Sequence, residues 1–266
     1  MRRATTAADG ARIAFDVIGD GDPLLLLAGQ ANSRSWWDPV RPDFTARHRT
    51  VATDTLGSGE SDAPASAEYS IRRFAADAVA VLDEAGIGRA HVYGTSMGGR
   101  VAQRLAIDHP ERVGALVLGC TTPGGPHAVV AGRDVVGPLA GPAGPARRAL
   151  AELMVTPAWL DEHPHGADAV LGDDGMSQAA RRGHRHASAA HDASAELGRI
   201  VAPTLLLHGT DDAFCPPRNV DLLAAGVPRA RVELFPGARH AYFLEFRRQA
   251  SGVVLDFLAG HPLAGL

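Results

Sequence analysis

At 266 residues and 45% hydrophobic content, the chain is long enough for one large α/β domain with a sizeable core and needs no second domain. Its net charge of −4, with arginines scattered among carboxylates, leaves no basic footprint for nucleic acid. All 26 Lys+Arg positions are arginine, which excludes a lysine Schiff base, lysine-linked pyridoxal phosphate and a Walker-type phosphate loop together.

After Met1-Arg2-Arg3 the chain runs through small and polar residues to Asp9-Gly10, so the apolar segment of a secretory signal is missing. Its longest strongly apolar run, Leu24 to Ala28, is far too short to span a bilayer, and a soluble cytoplasmic protein is expected. Cys120 and Cys215 are too few for a disulfide framework or a Cys-rich metal site and read as free structural thiols.

Asp9-Gly10, flanked by Thr5 to Ala8 and by Arg12 to Val17, predicts an antiparallel edge hairpin. Leu24 to Ala28 reads as a strand buried on both faces, and it stops at a loop, Gly29-Gln30-Ala31-Asn32. Trp36 and Trp37 follow and read as core. Thr50 to Thr53 is the next strand, running into Asp54 to Asp62, where Ser58 and Ser61 are expected to bond local backbone. Ile71 to Ala85 carries apolar residues at helical spacing and ends at Gly86. The alternation predicts a mostly parallel sheet with right-handed crossovers.

The next strand, Ala90 to Gly94, leads into Gly94-Thr95-Ser96-Met97-Gly98 and a helix over Met97 to Asp108. This G-x-S-x-G turn between strand and helix is the nucleophile elbow pattern and nominates Ser96 as the attacking group, with the helix N-terminus stabilising negative charge there. The glycines also fit a plain tight connection, in which side chains at Gly94 and Gly98 would collide with neighbouring elements. A further strand, Val113 to Cys120, follows Pro110.

Beyond it the composition changes. Pro123 to Pro145 is rich in glycine, proline and alanine, and the stretch to about Leu197 is charged, histidine-rich and helix-prone. We read 123–197 as a helical cap inserted after the sixth strand, between core parts 1–122 and 198–266, lying over the sheet edge where open α/β sheets bind ligands. Pro203 to Gly209 and Val232 to Phe235 are predicted as two more buried strands, and Phe243 to Leu258 as a closing helix.

A serine hydroxyl needs a general base, and the base needs an orienting carboxylate. Asp211 and Asp212 follow the strand ending at Gly209, and His240 follows the strand ending at Phe235. Here the chain resembles the α/β-hydrolase superfamily over most of its length outside the cap. The family's G-x-x-D-x-x-x-P pattern falls on Gly209, Asp212 and Pro216, and its G-x-x-H on Gly237 and His240, with Glu245 following. The resemblance therefore implies a triad of Ser96, Asp212 and His240, and leaves Asp211 a turn residue.

Two backbone N–H donors should face the oxyanion, one following the nucleophile and one on the loop after the third strand. Met97 fills the first position, and by resemblance Gln30 fills the second, although Ala28 stands where relatives commonly carry histidine. The stretches Gly29 to Asn32, Cys120 to Gly125 and His191-Asp192 most resemble the 3-oxoadipate enol-lactonase-like and carboxylesterase branch, which implies a small ester or lactone as substrate, with no cofactor. C–C bond hydrolases, ligand receptors, cyclases and lyases share the framework and remain alternatives. The paired histidines of His163-Pro164-His165 and His184-Arg185-His186 have no carboxylate or Cys at a persuasive zinc spacing, so no metal is expected. Arg181, Arg182 and Arg185 could hold a substrate carboxylate but fit a solvated helix face better.

Overall fold

A computed structural model describes residues 2–64, 68–140 and 143–263. The last three residues of the second core part and Gly141-Pro142 of the glycine- and proline-rich run lie outside the described residues. Eight strands form one sheet in the order β1-β2-β4-β3-β5-β6-β7-β8. They are β1 (Arg2–Thr6), β2 (Arg12–Ile18), β3 (Asp22–Leu27), β4 (His48–Thr53), β5 (Ala90–Thr95), β6 (Val113–Gly119), β7 (Thr204–Gly209) and β8 (Ala230–Phe235). The β1–β2 and β2–β4 pairs are antiparallel, and every other pair is parallel. This is the fold class expected from the alternation of strands and helices.

The helices in chain order are α1 (Arg41–Thr45), α2 (Ile71–Glu84), α3 (Met97–Asp108), α4 (Arg133–Val136), α5 (Ala143–Met154), α6 (Pro157–Glu162), α7 (Gln178–Ala189), α8 (Arg218–Gly226), α9 (Tyr242–Glu245) and α10 (Arg247–Ala259). Helix α2 shows the local logic. Ser70 caps its start by accepting from Arg73 N at 3.1 Å, Ile71, Phe74, Ala78, Val81 and Leu82 bury one face, and Gly86 at φ +69° stops it. Helices α4 to α7 all lie between β6 and β7 in the chain.

The leucine run of β3 feeds both faces of the sheet. Leu25 and Leu27 join the apolar cluster under α2 and α3, and Leu24 and Leu26 join the one under α10. Each such side chain contributes about 2 kcal/mol of burial, which fixes β3 at the centre. Between β3 and β5 the chain order reverses, because β4 lies outside β3. A crevice opens at such a switch point, beyond the strands' C-terminal ends.

Three expectations need correction. The first strand ends at Thr6, because Ala7 N already bonds Ala11 O at 2.8 Å to close the hairpin turn at Gly10. Strand β8 is an edge with a single neighbour, leaving Val232 and Leu234 about 40% exposed, at 39% and 43%. The closing helix is two helices, broken at Phe246, whose φ of −100° and ψ of 31° leave the helical region. Helix α8, between β7 and β8, was not anticipated.

Candidate active site

Ser96 stands between β5 and α3 at φ 55° and ψ −120°, a left-handed conformation that is strained for a residue with a Cβ. The chain is held there from both sides. Ser96 N donates to Gly119 O at 2.9 Å, and Thr121 Oγ1 donates to Ser96 O at 2.7 Å. A Cβ at Gly94 would run into the Gly98 carbonyl, and one at Gly98 into the carbonyls of Leu27 and Ala28. The glycines are thus required by backbone contact between β3, β5 and α3, which brings the Gln30 loop against the start of α3.

Asp212 follows β7 and is 1% exposed. Its Oδ1 accepts from Cys215 N at 2.7 Å and its Oδ2 from His240 Nδ1 at 2.8 Å. Burial alone would raise its pKa, but His240 and His208 outweigh that and hold the carboxyl down at about 2. An ionised Asp212 can only accept, so the His240 proton sits on Nδ1 and Nε2 presents a lone pair. That Nε2 is buried and has no hydrogen-bond partner among the described residues. The His240 loop is pinned to the end of α5, with His240 N on Leu153 O at 3.2 Å and Ala241 N on Met154 O at 2.7 Å. Phe214 meets the His240 ring edge-on, centroids 5.0 Å apart.

Ser96, His240, Gln30 and Met97 line one cavity of about 160 Å³. Neither Gln30 N nor Met97 N bonds a protein acceptor among the described residues. Cys120 and Cys215 form part of the wall as free thiols, and burial pushes both up so that they stay neutral. A larger hollow of about 450 Å³ between α5 and α6 is lined by no member of the predicted triad.

The competing residues are occupied elsewhere. Ser58 Oγ donates to Thr55 O and Ser61 Oγ to Asp54 O, both at 2.8 Å. Asp211 is exposed and accepts from Thr210 Oγ1 at 2.9 Å. Trp36 and Trp37 are buried, and Trp36 packs under Gly29 while donating to Thr95 Oγ1 at 2.8 Å. His163 stacks on Trp159, and His165 contacts Asp168 at 3.2 Å. Arg181 donates to backbone carbonyls of Asp173 and Met176, and Arg182 and Arg185 are exposed. Glu245 accepts from Thr156 N at 3.0 Å and so ties α9 to the start of α6.

The roles of three residues escaped the sequence reading. His208, 3.3 Å from Asp212 Oδ2, is the one ionisable side chain in β7, and that polar interruption of an apolar strand was the available signal. Arg100 lines the cavity one helical turn beyond Ser96, a spacing visible in the sequence. His184 of α7 bridges two core loops, its Nδ1 accepting from Ala31 N at 3.2 Å and its Nε2 donating to Leu56 O at 2.7 Å. No local pattern announces such a contact.

Strand order, elbow and cavity are those of an α/β hydrolase, and the family model for the alpha/beta hydrolase fold matches residues 22–140. The chain belongs to this family of hydrolases. It is 34% identical over 253 residues to "Putative carbamate hydrolase RutD" of Variovorax paradoxus, covering 90% of this chain and 92% of that protein. Among solved structures, an esterase from Rhodococcus superposes with a TM-score of 0.84 at 27% identity, covering 97% of this chain and 98% of that one. The enol-lactonase from Burkholderia xenovorans shares the fold at a TM-score of 0.84 and 22% identity, covering 97% of this chain and all (100%) of that one. No helix among the described residues is long and apolar enough to cross a membrane.

Proposed function

We propose that the chain is a serine hydrolase that cleaves a small carboxylic ester or lactone. The observation that carries this reading is the unpartnered Nε2 of His240, held by Asp212 and lining one cavity with Ser96 on its strained elbow. His240 takes the Ser96 proton as Oγ bonds to the acyl carbon, and the N–H groups of Gln30 and Met97 receive the oxyanion. Collapse breaks the bond to the leaving oxygen, which takes the proton from His240. Water, deprotonated by His240, then adds to the acyl-enzyme, and a second collapse releases the acid and restores Ser96.

Residues 123–197 act as the cap in this reading. The isolated bridge between Gly124 and Asp192 supports a boundary at its base. The partner is a small molecule in a cytoplasmic setting, with no role for nucleic acid or membrane. A carbamate, whose carbonyl can undergo the same acyl transfer, is a second reading favoured by the 34% identical relative.

The test is labelling with a fluorophosphonate, located by mass spectrometry, in the wild type, Ser96→Ala and His240→Ala. An adduct on Ser96 that depends on His240 is expected. Folded wild-type protein without an adduct would overturn the reading in favour of a receptor or a non-hydrolytic enzyme.

A further inference from the structure

Arg100 is placed where a structural arginine has little reason to be. It lies in the first turns of α3, the end at which the helix dipole disfavours a cation. Among the described residues its one hydrogen bond through the guanidinium is Nη1 to Ser188 O at 2.7 Å, and its Nε is buried with no partner there. No carboxylate lies within 4.0 Å of it among the described residues.

Other part-buried arginines meet either carboxylates or, as Arg49, Arg181 and Arg239 do, backbone carbonyls. Arg104, one turn further along α3, contacts Glu196 at 2.7 Å and Asp108 at 2.9 Å. Arg34, Arg73 and Arg247 each contact at least one carboxylate as well. A guanidinium partly withdrawn from water without an anion is costly, and burial holds Arg100 below the usual arginine range. The adjoining side chains leave it alone. His191 is kept neutral, its pKa pushed down to about 3 by burial, Arg100 and Arg104, and the Ser188 hydroxyl is buried with no partner.

Arg100 and Ser188 line the same cavity as Ser96 and His240. We propose that they form an anion subsite there, and that the enzyme acts on acyl substrates carrying a carboxylate about one helical turn, ~6 Å, from the carbonyl that Ser96 attacks. This deepens the ester-cleavage reading and rests on it.

The test compares the para-nitrophenyl monoester of glutaric acid with para-nitrophenyl valerate, a neutral ester of equal chain length, on wild type, Arg100→Gln and Arg100→Lys. Glutarate is titrated calorimetrically into each protein. The wild type should prefer the charged ester by tenfold or more in kcat/KM. Arg100→Gln should lower that ratio, and glutarate affinity, about 10- to 100-fold, with partial recovery in Arg100→Lys.

A wild-type ratio at or below one overturns the subsite, and so does a preference or glutarate affinity that survives in Arg100→Gln. Should that variant not fold, the wild-type ratio and Arg100→Lys decide on the same criteria. The two readings fail differently. Arg100-dependent glutarate binding without Ser96 labelling overturns ester cleavage and supports the subsite, whereas Ser96 labelling without Arg100-dependent binding does the reverse.

Discussion

His208 and His240 approach the same oxygen of Asp212, Oδ2, from 3.3 and 2.8 Å. His208 Nε2 also lies 2.7 Å from Cys215 O, and a carbonyl can only accept, so this nitrogen carries its proton and the Asp212 contact is a second, weaker branch of one donor. The carboxylate is therefore fixed from three directions, with Cys215 N on its other oxygen. That arrangement aims Oδ2 at His240, the proposed base.

Asp212→Asn should keep the fold and lower kcat by about ten-thousand-fold, because an amide can donate to His240 Nδ1 and favour the wrong tautomer. His208→Phe should cost about tenfold in kcat with KM little affected, since the aim of the carboxylate is loosened while the proton path survives. Steady-state kinetics on one ester checks both. Equal losses in the two variants would mean that His208 does more than support Asp212.

Gln30→Pro removes the proposed oxyanion N–H and should cost about 100- to 1000-fold in kcat. Gln30→Ala keeps the N–H and should fall far less. If the two variants lose equal activity, the side chain, not the backbone, serves the site.

Gly98→Ala should destabilise the chain by about 3 kcal/mol, because its Cβ meets the carbonyls of two successive β3-loop residues, Leu27 and Ala28. Neither carbonyl can retreat without moving the loop that carries Gln30. Urea unfolding and turnover should therefore fall together, and a variant with full stability would contradict the packing described.

His184 gives the pH dependence a direction. Burial pushes its pKa from 6.5 down to about 4, so the unfolded chain binds a proton in this interval that the folded chain refuses. Its contribution is fully present above pH 6.5 and is lost as pH falls toward 4, amounting to about 3 kcal/mol. His91, lowered to about 4, acts in the same sense. Urea midpoints measured from pH 7 to 4.5 should fall, and less steeply in His184→Gln, which can still accept from Ala31 and donate to Leu56. An unchanged slope would remove His184 from the account.

The core was legible because its signals are local, and the signals behind the proposed triad are local too. A leucine run, a glycine-bracketed serine and an aspartate or histidine just past a strand each occupy a few consecutive residues, and the structure brings Ser96, Gln30, Met97 and His240 to one cavity, with Asp212 bonded to His240. What was missed is long-range. The contact of His184 with Ala31 spans 153 positions, and the half-exposed face of β8 follows from having a neighbour on one side alone. Arg100 was visible at its spacing, but nothing in the sequence shows that it lacks an acidic partner, since Arg104 on the same helix finds two.

The proposed site draws on both ends of the chain: Ser96 and its glycines come before helices α4 to α7, Asp212 and His240 after them. A chain emerging from the ribosome N-terminus first thus displays the proposed nucleophile well before the proposed base has been made. Under the proposed mechanism, reactivity waits for the last strand to dock beside β7, so a truncated or stalled product would carry the serine without the means to acylate it.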